Sequence, residues 1–268
     1  MTSRAIVLAL VLVAAHAVAV AADIEERYCV TVRSDKPIEG GILAAVIAGE
    51  ATITVEAADA CASPPAPGAT PGGVVVSATR VTGTAAGLLA SLEARPEDPT
   101  GYDRDLFEHW VDADADGCDA RDEVLIEESV TPVSVGGDCE LEGGTWVSAY
   151  DGLLTREPSR FDIDHVVPLA EAWRSSAKGW TAERREAFAN DLGDERSLRA
   201  VSATSNRAKG DQDPAEWLPP VEAYHCEYVS GWVAVKVRWA LAVDPAEHEA
   251  IADVLADRPP QVVTVEIR

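Results

Sequence analysis

The sequence predicts an α+β chain: a small β-rich unit at the N-terminus, then a larger domain whose strand–strand–helix core is embedded in helices. Three observations predict it. Residues 28–32 and 51–55 alternate β-branched and other residues, as strands do. Residues 62–73 are dominated by Pro, Gly and Ala, which marks a linker. Beyond it, two short strand patterns, 161–165 and 198–202, stand among stretches of helical spacing.

The order of segments follows. Residues 1–22 carry Arg4, an apolar run and small residues at the spacing of a cleavage site, which predicts a secretory signal peptide. A β-rich unit of unknown function spans 23–62, a Pro/Gly-rich linker 63–78, the main domain 79–258 and a C-terminal tail 259–268. No segment after the signal is apolar for long enough to cross a bilayer, so a secreted, monomeric protein is expected, with no membrane contact after cleavage. Export permits disulfides. Chain order pairs Cys29 with Cys61 and Cys118 with Cys139 and leaves Cys226 over, although sequence alone leaves the connectivity open.

Within the main domain, helices are expected over 84–94, 102–111, 180–192, 221–241 and 244–255, with another opening at Asp213-Pro214. Strands are expected at 124–126 and 130–133. Trp232, Val235 and Trp239 share one helix face and read as core.

Asp112-Ala113-Asp114-Ala115-Asp116-Gly117-Cys118 leads on to Glu123 in the pattern of a calcium loop. Asp112, Asp114, Asp116, the Cys118 carbonyl and Glu123 would surround Ca²⁺ with oxygens. Asp119 stands where such loops usually carry an aliphatic residue, so the loop is expected to be single. An acidic turn that only caps a helix is the alternative.

The chemistry centres on Phe161-Asp162-Ile163-Asp164-His165, a strand stopped by Pro168. A carboxylate and an imidazole side by side on a rigid element suit a divalent metal and a proton transfer. A second strand then opens into Asn206-Arg207-Ala208-Lys209. This order resembles the HNH, or ββα-metal, nuclease family. Within it the chain is similar to an exported bacterial branch related to the C-terminal domain of GmrSD-type restriction endonucleases. Tyr102-Asp103-Arg104 with Phe107 and Trp110, residues 112–125, Phe188-Ala189-Asn190-Asp191 and residues 213–220 extend the resemblance over about residues 80–255.

The resemblance implies a ββα-metal fold and phosphodiester hydrolysis in nucleic acid, DNA ahead of RNA. It implies Mg²⁺ or Mn²⁺ held by Asp164 and Asn206, with His165 as general base. Asp162 and Asn190 would stand behind these groups, and Arg207 and Lys209 would meet phosphates. Many members carry Asn where this chain has Ser197, so Asn190 and Ser197 both remain candidates for the middle position. Relatives also often carry a closing C-terminal cysteine that this chain lacks, which leaves Cys226 without its counterpart. Activity is expected to rise with pH through the ordinary imidazole pKa of about 6.5.

The net charge of -24 opposes polyanion binding at long range. Ten basic residues between Arg156 and Lys209 are expected to form a local basic groove against it. A different class stays open: a non-catalytic, exported calcium-binding or surface-interaction module on a nuclease-like fold.

Overall fold

The computed structural model describes residues 28–34, 51–57, 74–75, 80–256 and 258–268. The expected signal peptide, and Cys61 with its expected bridge to Cys29, lie outside the described residues.

In the N-terminal unit, β1 (Tyr28–Ser34) pairs antiparallel with β2 (Ala51–Ala57), matching the two strands expected there. A short β3 (Val74–Val75) joins the other edge of β2, so the expected linker contributes two residues to a sheet.

From residue 80 onward the elements run as follows. β4 (Arg80–Thr84) leads into α1 (Ala85–Leu89), which Thr84 caps by accepting from the Gly87 amide at 3.0 Å. Helix α2 (Ala120–Glu127) is followed by two short hairpins, β5 (Val133–Val135) with β6 (Leu141–Gly143), and β7 (Trp146–Val147) with β8 (Leu154–Thr155). Then come β9 (Phe161–His165), α3 (Leu169–Ser175), α4 (Ala182–Ala189), β10 (Leu198–Ser202) and α5 (Ala203–Lys209). Helices α6 (His225–Trp239) and α7 (Pro245–Ala256) precede β11 (Val262–Glu266). The mixture of helices and small sheets is the α+β class the sequence predicts. No helix among the described residues is long and apolar enough to cross a membrane.

Helix α6 is buried along most of its length and carries Trp232, Val235 and Trp239 into the larger hydrophobic cluster, as their spacing predicts. Its Lys236 is fully buried and bonds Glu171 of α3 and Glu247 of α7, both at 2.7 Å, tying three helices together.

The β9–β10 ladder separates two cores. Antiparallel pairing sets Leu198 opposite His165 and Ala200 opposite Ile163. Side chains alternate between faces. Phe161, Ile163, Leu198 and Ala200 therefore pack on one side, against Val124 and Leu125 of α2 and Trp146. Val201 belongs to the larger cluster with Tyr150, Tyr228 and Trp232. Burying Phe161 and Ile163 contributes about 1.5–3 kcal/mol each, which clamps the ladder from that face.

Several expected elements differ. Residues 124–126 are helical, not a strand. Asp119 caps α2 by accepting from the Arg121 and Asp122 amides, and only a helix brings Ala120, Val124 and Leu125 to one side. The helix expected over 102–111 shrinks to a 3-10 turn, Arg104–Leu106, because Phe107 takes an extended backbone (φ -113, ψ 95); Trp110 beyond it is left-handed (φ 62). Asp213-Pro214 opens only a turn, closed by Asp213 accepting from the Ala215 amide at 2.6 Å, and Pro219-Pro220 stop any continuation. Residues 259–268 are not a tail: β11 pairs antiparallel with β4 and buries Val263 and Val265.

Candidate active site

β9 and β10 pair antiparallel across the intervening α3 and α4, and β10 runs straight into α5. The joint is rigid for identifiable reasons. Ser202 caps α5 by accepting from the Ser205 amide at 3.1 Å, and the hydroxyls of Ser202 and Ser205 both donate to Asp151 Oδ2. Gly210 ends the helix at positive φ (55), a conformation that favours glycine. At the end of the ladder, a cleft of roughly 220 Å³ is lined by Asp164, His165, Asn206 and Arg207, with Arg104 and Asp211. The three residues expected to carry the chemistry thus share one cavity.

Asp164 is 4% exposed. Its Oδ2 accepts from the Tyr150 hydroxyl at 2.6 Å and its Oδ1 from Lys209 Nζ at 2.7 Å. Burial pushes the carboxyl pKa up, and Lys209 and Tyr150 pull it back. Each oxygen keeps a further lone pair for a ligand.

His165 is also buried, and its Nε2 lies 2.8 Å from the Ala189 carbonyl. A carbonyl can only accept, so Nε2 carries the proton and Nδ1 keeps its lone pair. Desolvation pushes the imidazole pKa down to about 3; the Ala189 bond opposes this and the Arg104 charge adds to it. The Trp110 ring lies against the imidazole, centroids 5.5 Å apart and planes 33° apart.

Asn206 donates Nδ2–H to Asp162 Oδ2 at 3.3 Å, which leaves its Oδ1 free. Arg207 Nε lies 3.6 Å from the same Asp162 oxygen, and the Arg207 side chain is 77% exposed. Asp162 Oδ2 thus contacts both Asn206 and Arg207. Asp164 and Asn206 line one cleft and offer a carboxylate and an amide oxygen, hard donors of the kind that Mg²⁺ and Mn²⁺ take.

Lys209 does not face phosphates. It is fully buried and divides its protons between Asp164 Oδ1 and the His165 carbonyl, which accepts at 2.9 Å. Asn190 follows the residue that orients His165. Its Nδ2 donates to the carbonyls of Glu108 (2.8 Å) and Glu186 (2.9 Å), and its Oδ1 accepts from the Val111 amide at 2.9 Å. Ser197, the other candidate for the middle position, donates instead to Asp191 Oδ2 at 2.8 Å.

Much of the expected basic groove is spent inside the fold. Arg174 pairs with Glu171 and Glu97, Arg196 with Asp194, Arg199 with Glu128 and Lys178 with Asp98. Arg184 and Arg185 donate to backbone carbonyls.

Sequence reasoning did not single out Tyr150, the Ala189 carbonyl, Arg104 or Trp110 as site groups. Only the motif Tyr102-Asp103-Arg104 with Trp110 carried a signal, and that signal gave no role. A backbone carbonyl leaves no residue-type trace.

The acidic loop gathers its carboxylates in two overlapping groups that share Asp116. Carboxylate oxygens of Asp112, Asp114 and Asp116 lie within 4.8 Å of one another. Asp112 accepts from the Asp116 and Gly117 amides, and Asp116 Oδ1 from the Cys118 amide at 2.8 Å. Glu123 also comes within reach of Asp116, and its pKa is raised by burial and by these neighbouring carboxylates. Cys118 is bridged to Cys139, so its sulfur is no thiolate ligand and only its carbonyl remains for an ion. Cys226 is free, as expected.

Comparison with known proteins gives two matches. Residues 141–254 match the family described as GmrSD restriction endonucleases, C-terminal domain. Over 173 residues the chain is 44% identical to an "Uncharacterized secreted protein" of Arthroderma benhamiae, covering 64% of this chain and 83% of that one. No solved structure matches. The relative's secreted character agrees with the export read from residues 1–22. β9, β10 and α5 lie inside the matched span, while α2 and the cleft residue Arg104 lie before it, so the part of the chain from 141 to 254 is related to the C-terminal domain of GmrSD restriction endonucleases.

Proposed function

We propose that the chain is a secreted, metal-dependent endonuclease of the HNH, or ββα-metal, type that hydrolyses phosphodiester bonds in nucleic acid, DNA ahead of RNA. One observation carries it: a buried imidazole with its Nδ1 lone pair free lines the same cleft as the Asp164 carboxylate and the Asn206 amide. Mg²⁺ or Mn²⁺ held by Asp164 and Asn206 would supply positive charge against the phosphate and the departing oxygen. His165 takes the proton of the attacking water at Nδ1, and its neutral state needs no prior deprotonation at physiological pH. The Ala189 carbonyl holds the resulting imidazolium through Nε2–H. Asp162 fixes the Asn206 amide so that its oxygen faces the cleft, and the exposed Arg207 meets the strand's backbone.

Plasmid nicking tests this. Purified mature protein is incubated with supercoiled plasmid in metal-free buffer and with Mg²⁺ or Mn²⁺. Cleavage with metal is expected, with Asp164→Ala and Asn206→Ala each lowering rate and calorimetric Mn²⁺ affinity together. No cleavage under any metal sinks the proposal.

The gathered carboxylates of Asp112, Asp114 and Asp116 favour a second reading: an exported module that binds Ca²⁺ without catalysis. The two are separable, because Ca²⁺ at that loop would raise the unfolding midpoint whether or not the protein cuts.

A further inference from the structure

Arg104 precedes the span matched by the family and belongs to no part of the strand–strand–helix unit. Its guanidinium nevertheless lines the cleft beside Asp164, His165 and Asn206. Among the described residues it has no carboxylate within ion-pair distance, whereas Arg174, Arg196, Arg199 and Arg238 are all paired. An exposed, unpaired guanidinium beside a reactive cleft, in a chain of net charge -24, is a cation held back from the protein's own acids.

The segment that carries it is fastened to the site. Asn190 clamps the backbone at Glu108 and Val111, and Trp110, between them, lies against the His165 ring. His109 donates Nδ1–H to the Phe107 carbonyl at 2.8 Å, which turns its Nε2 towards Arg104 Nη2 at 3.5 Å. The imidazole lone pair thus faces the guanidinium and limits its swing. Asp211, the other carboxylate lining the cleft, is exposed and opposes an anion there, so the contact is expected to be local rather than a broad basic surface.

We propose that Arg104 is a phosphate-contacting catalytic residue, supplied by segment 104–111, whose guanidinium binds a non-bridging oxygen of the scissile phosphodiester, with His109 and Asn190 as its positioning residues. The assignment rests on the nuclease reading and adds to it a group from outside the matched family span. Guanidinium is suited to the task because it keeps its charge and presents several N–H donors to phosphate oxygens. Such a contact strengthens as charge builds on the phosphate in the transition state.

The test uses the full mature protein, with Arg104→Ala, Arg104→Lys and, as a control outside the cleft, Arg258→Ala. With Mn²⁺ and plasmid, Arg104→Ala should cut about 100-fold more slowly, the usual loss when one donor to a developing anion is removed. Arg104→Lys should recover part of the rate, and calorimetric Mn²⁺ affinity should stay at the wild-type value in both. In metal-free buffer, the salt dependence of binding to a duplex oligonucleotide should fall by about one phosphate contact in Arg104→Ala and not in Arg258→Ala. An oligonucleotide with an uncharged methylphosphonate at the cleaved position should remove most of the difference between wild type and Arg104→Ala.

Arg104→Ala cutting at the wild-type rate with an unchanged salt slope overturns the assignment and leaves the nuclease reading standing. An Arg104→Ala defect undiminished on the methylphosphonate also overturns it, since the residue would then act without touching that oxygen. A wild-type protein that neither binds the oligonucleotide nor cuts plasmid overturns both.

Discussion

The Nε2–H of His165 donates to the carbonyl of Ala189 at 2.8 Å, across the interval between β9 and the end of α4. This bond fixes which nitrogen is basic. It also holds the imidazole in a buried setting at the cleft wall, where the charged form is disfavoured.

The first prediction follows from that burial. The imidazole stays neutral as pH falls through its ordinary value of 6.5, because its pKa lies near 3. The rate should therefore not track an imidazole titration near 6.5, contrary to what an exposed histidine would give. His165→Ala should retain Mn²⁺ and oligonucleotide binding while turnover falls by about two to four powers of ten. A kcat that halves near pH 6.5 in wild type, or a fully active His165→Ala, would contradict the assignment.

Asn190 provides the second. Its amide makes three hydrogen bonds, two of them to the segment that carries Trp110. Asn190→Ala removes all three and should cost about 1–3 kcal/mol, since the partners left behind are partly buried. The loss should appear as a lower urea midpoint together with altered tryptophan fluorescence, and cleavage should weaken while Mn²⁺ affinity holds. Asn190→Asp keeps the acceptor for the Val111 amide but not the donors, so it should fall between the two.

The two strands were legible because their signals are local. Phe161–His165 and Leu198–Ser202 alternate with period two, and Pro168 ends the first. Asn206 follows directly on the second strand, so its place in the cleft was legible too. What was hidden depends on partners remote in sequence. Val124-Leu125-Ile126 looks like strand until Trp146 is seen packing on the helix and donating to the Leu125 carbonyl. The fates of two neighbouring cations were equally hidden. Arg207 is exposed and Lys209 wholly buried, two positions apart on a helix, because only the latter points back at Asp164. Val262–Glu266 has strand character but needed β4, far up the chain, to become one.

Glu128 supplies a pH-dependent prediction. It accepts from the Ala200 amide of β10 at 3.1 Å and lies 3.4 Å from Arg199, yet desolvation raises its pKa to about 7. The unfolded chain loses this proton near 4.5, the folded chain near 7. The protonated carboxyl thus favours the folded state below 4.5, and that contribution is lost as pH rises through 7. Glu128→Gln keeps an acceptor for Ala200 without the titration. Relative to wild type it should gain on the order of 1 kcal/mol at pH 8 compared with pH 4.5, after allowing for partial solvent screening. Thermal melts of both proteins at the two pH values decide it; equal differences at both would refute the shifted carboxyl.

The pair Lys209–Asp164 supplies the last. Lys209 is fully buried and Asp164 nearly so, with their charged atoms 2.7 Å apart. Burial pushes the carboxyl up and the ammonium down, and each is held back by the other. Removing one partner strands the other charge in a dry setting, so Lys209→Met should destabilise by about 3–5 kcal/mol. Tyr150 cannot compensate, because its single hydroxyl is already given to Oδ2. Asp164→Asn should also destabilise, since it leaves the ammonium beside a neutral amide. The double variant Asp164→Asn with Lys209→Met holds no stranded charge. It should lie well above the sum of the two losses, with a coupling on the order of 2 kcal/mol in urea unfolding. Strict additivity would mean that Lys209 acts only as packing. The buried ion pair would then have no part in holding the cleft's carboxylate in place.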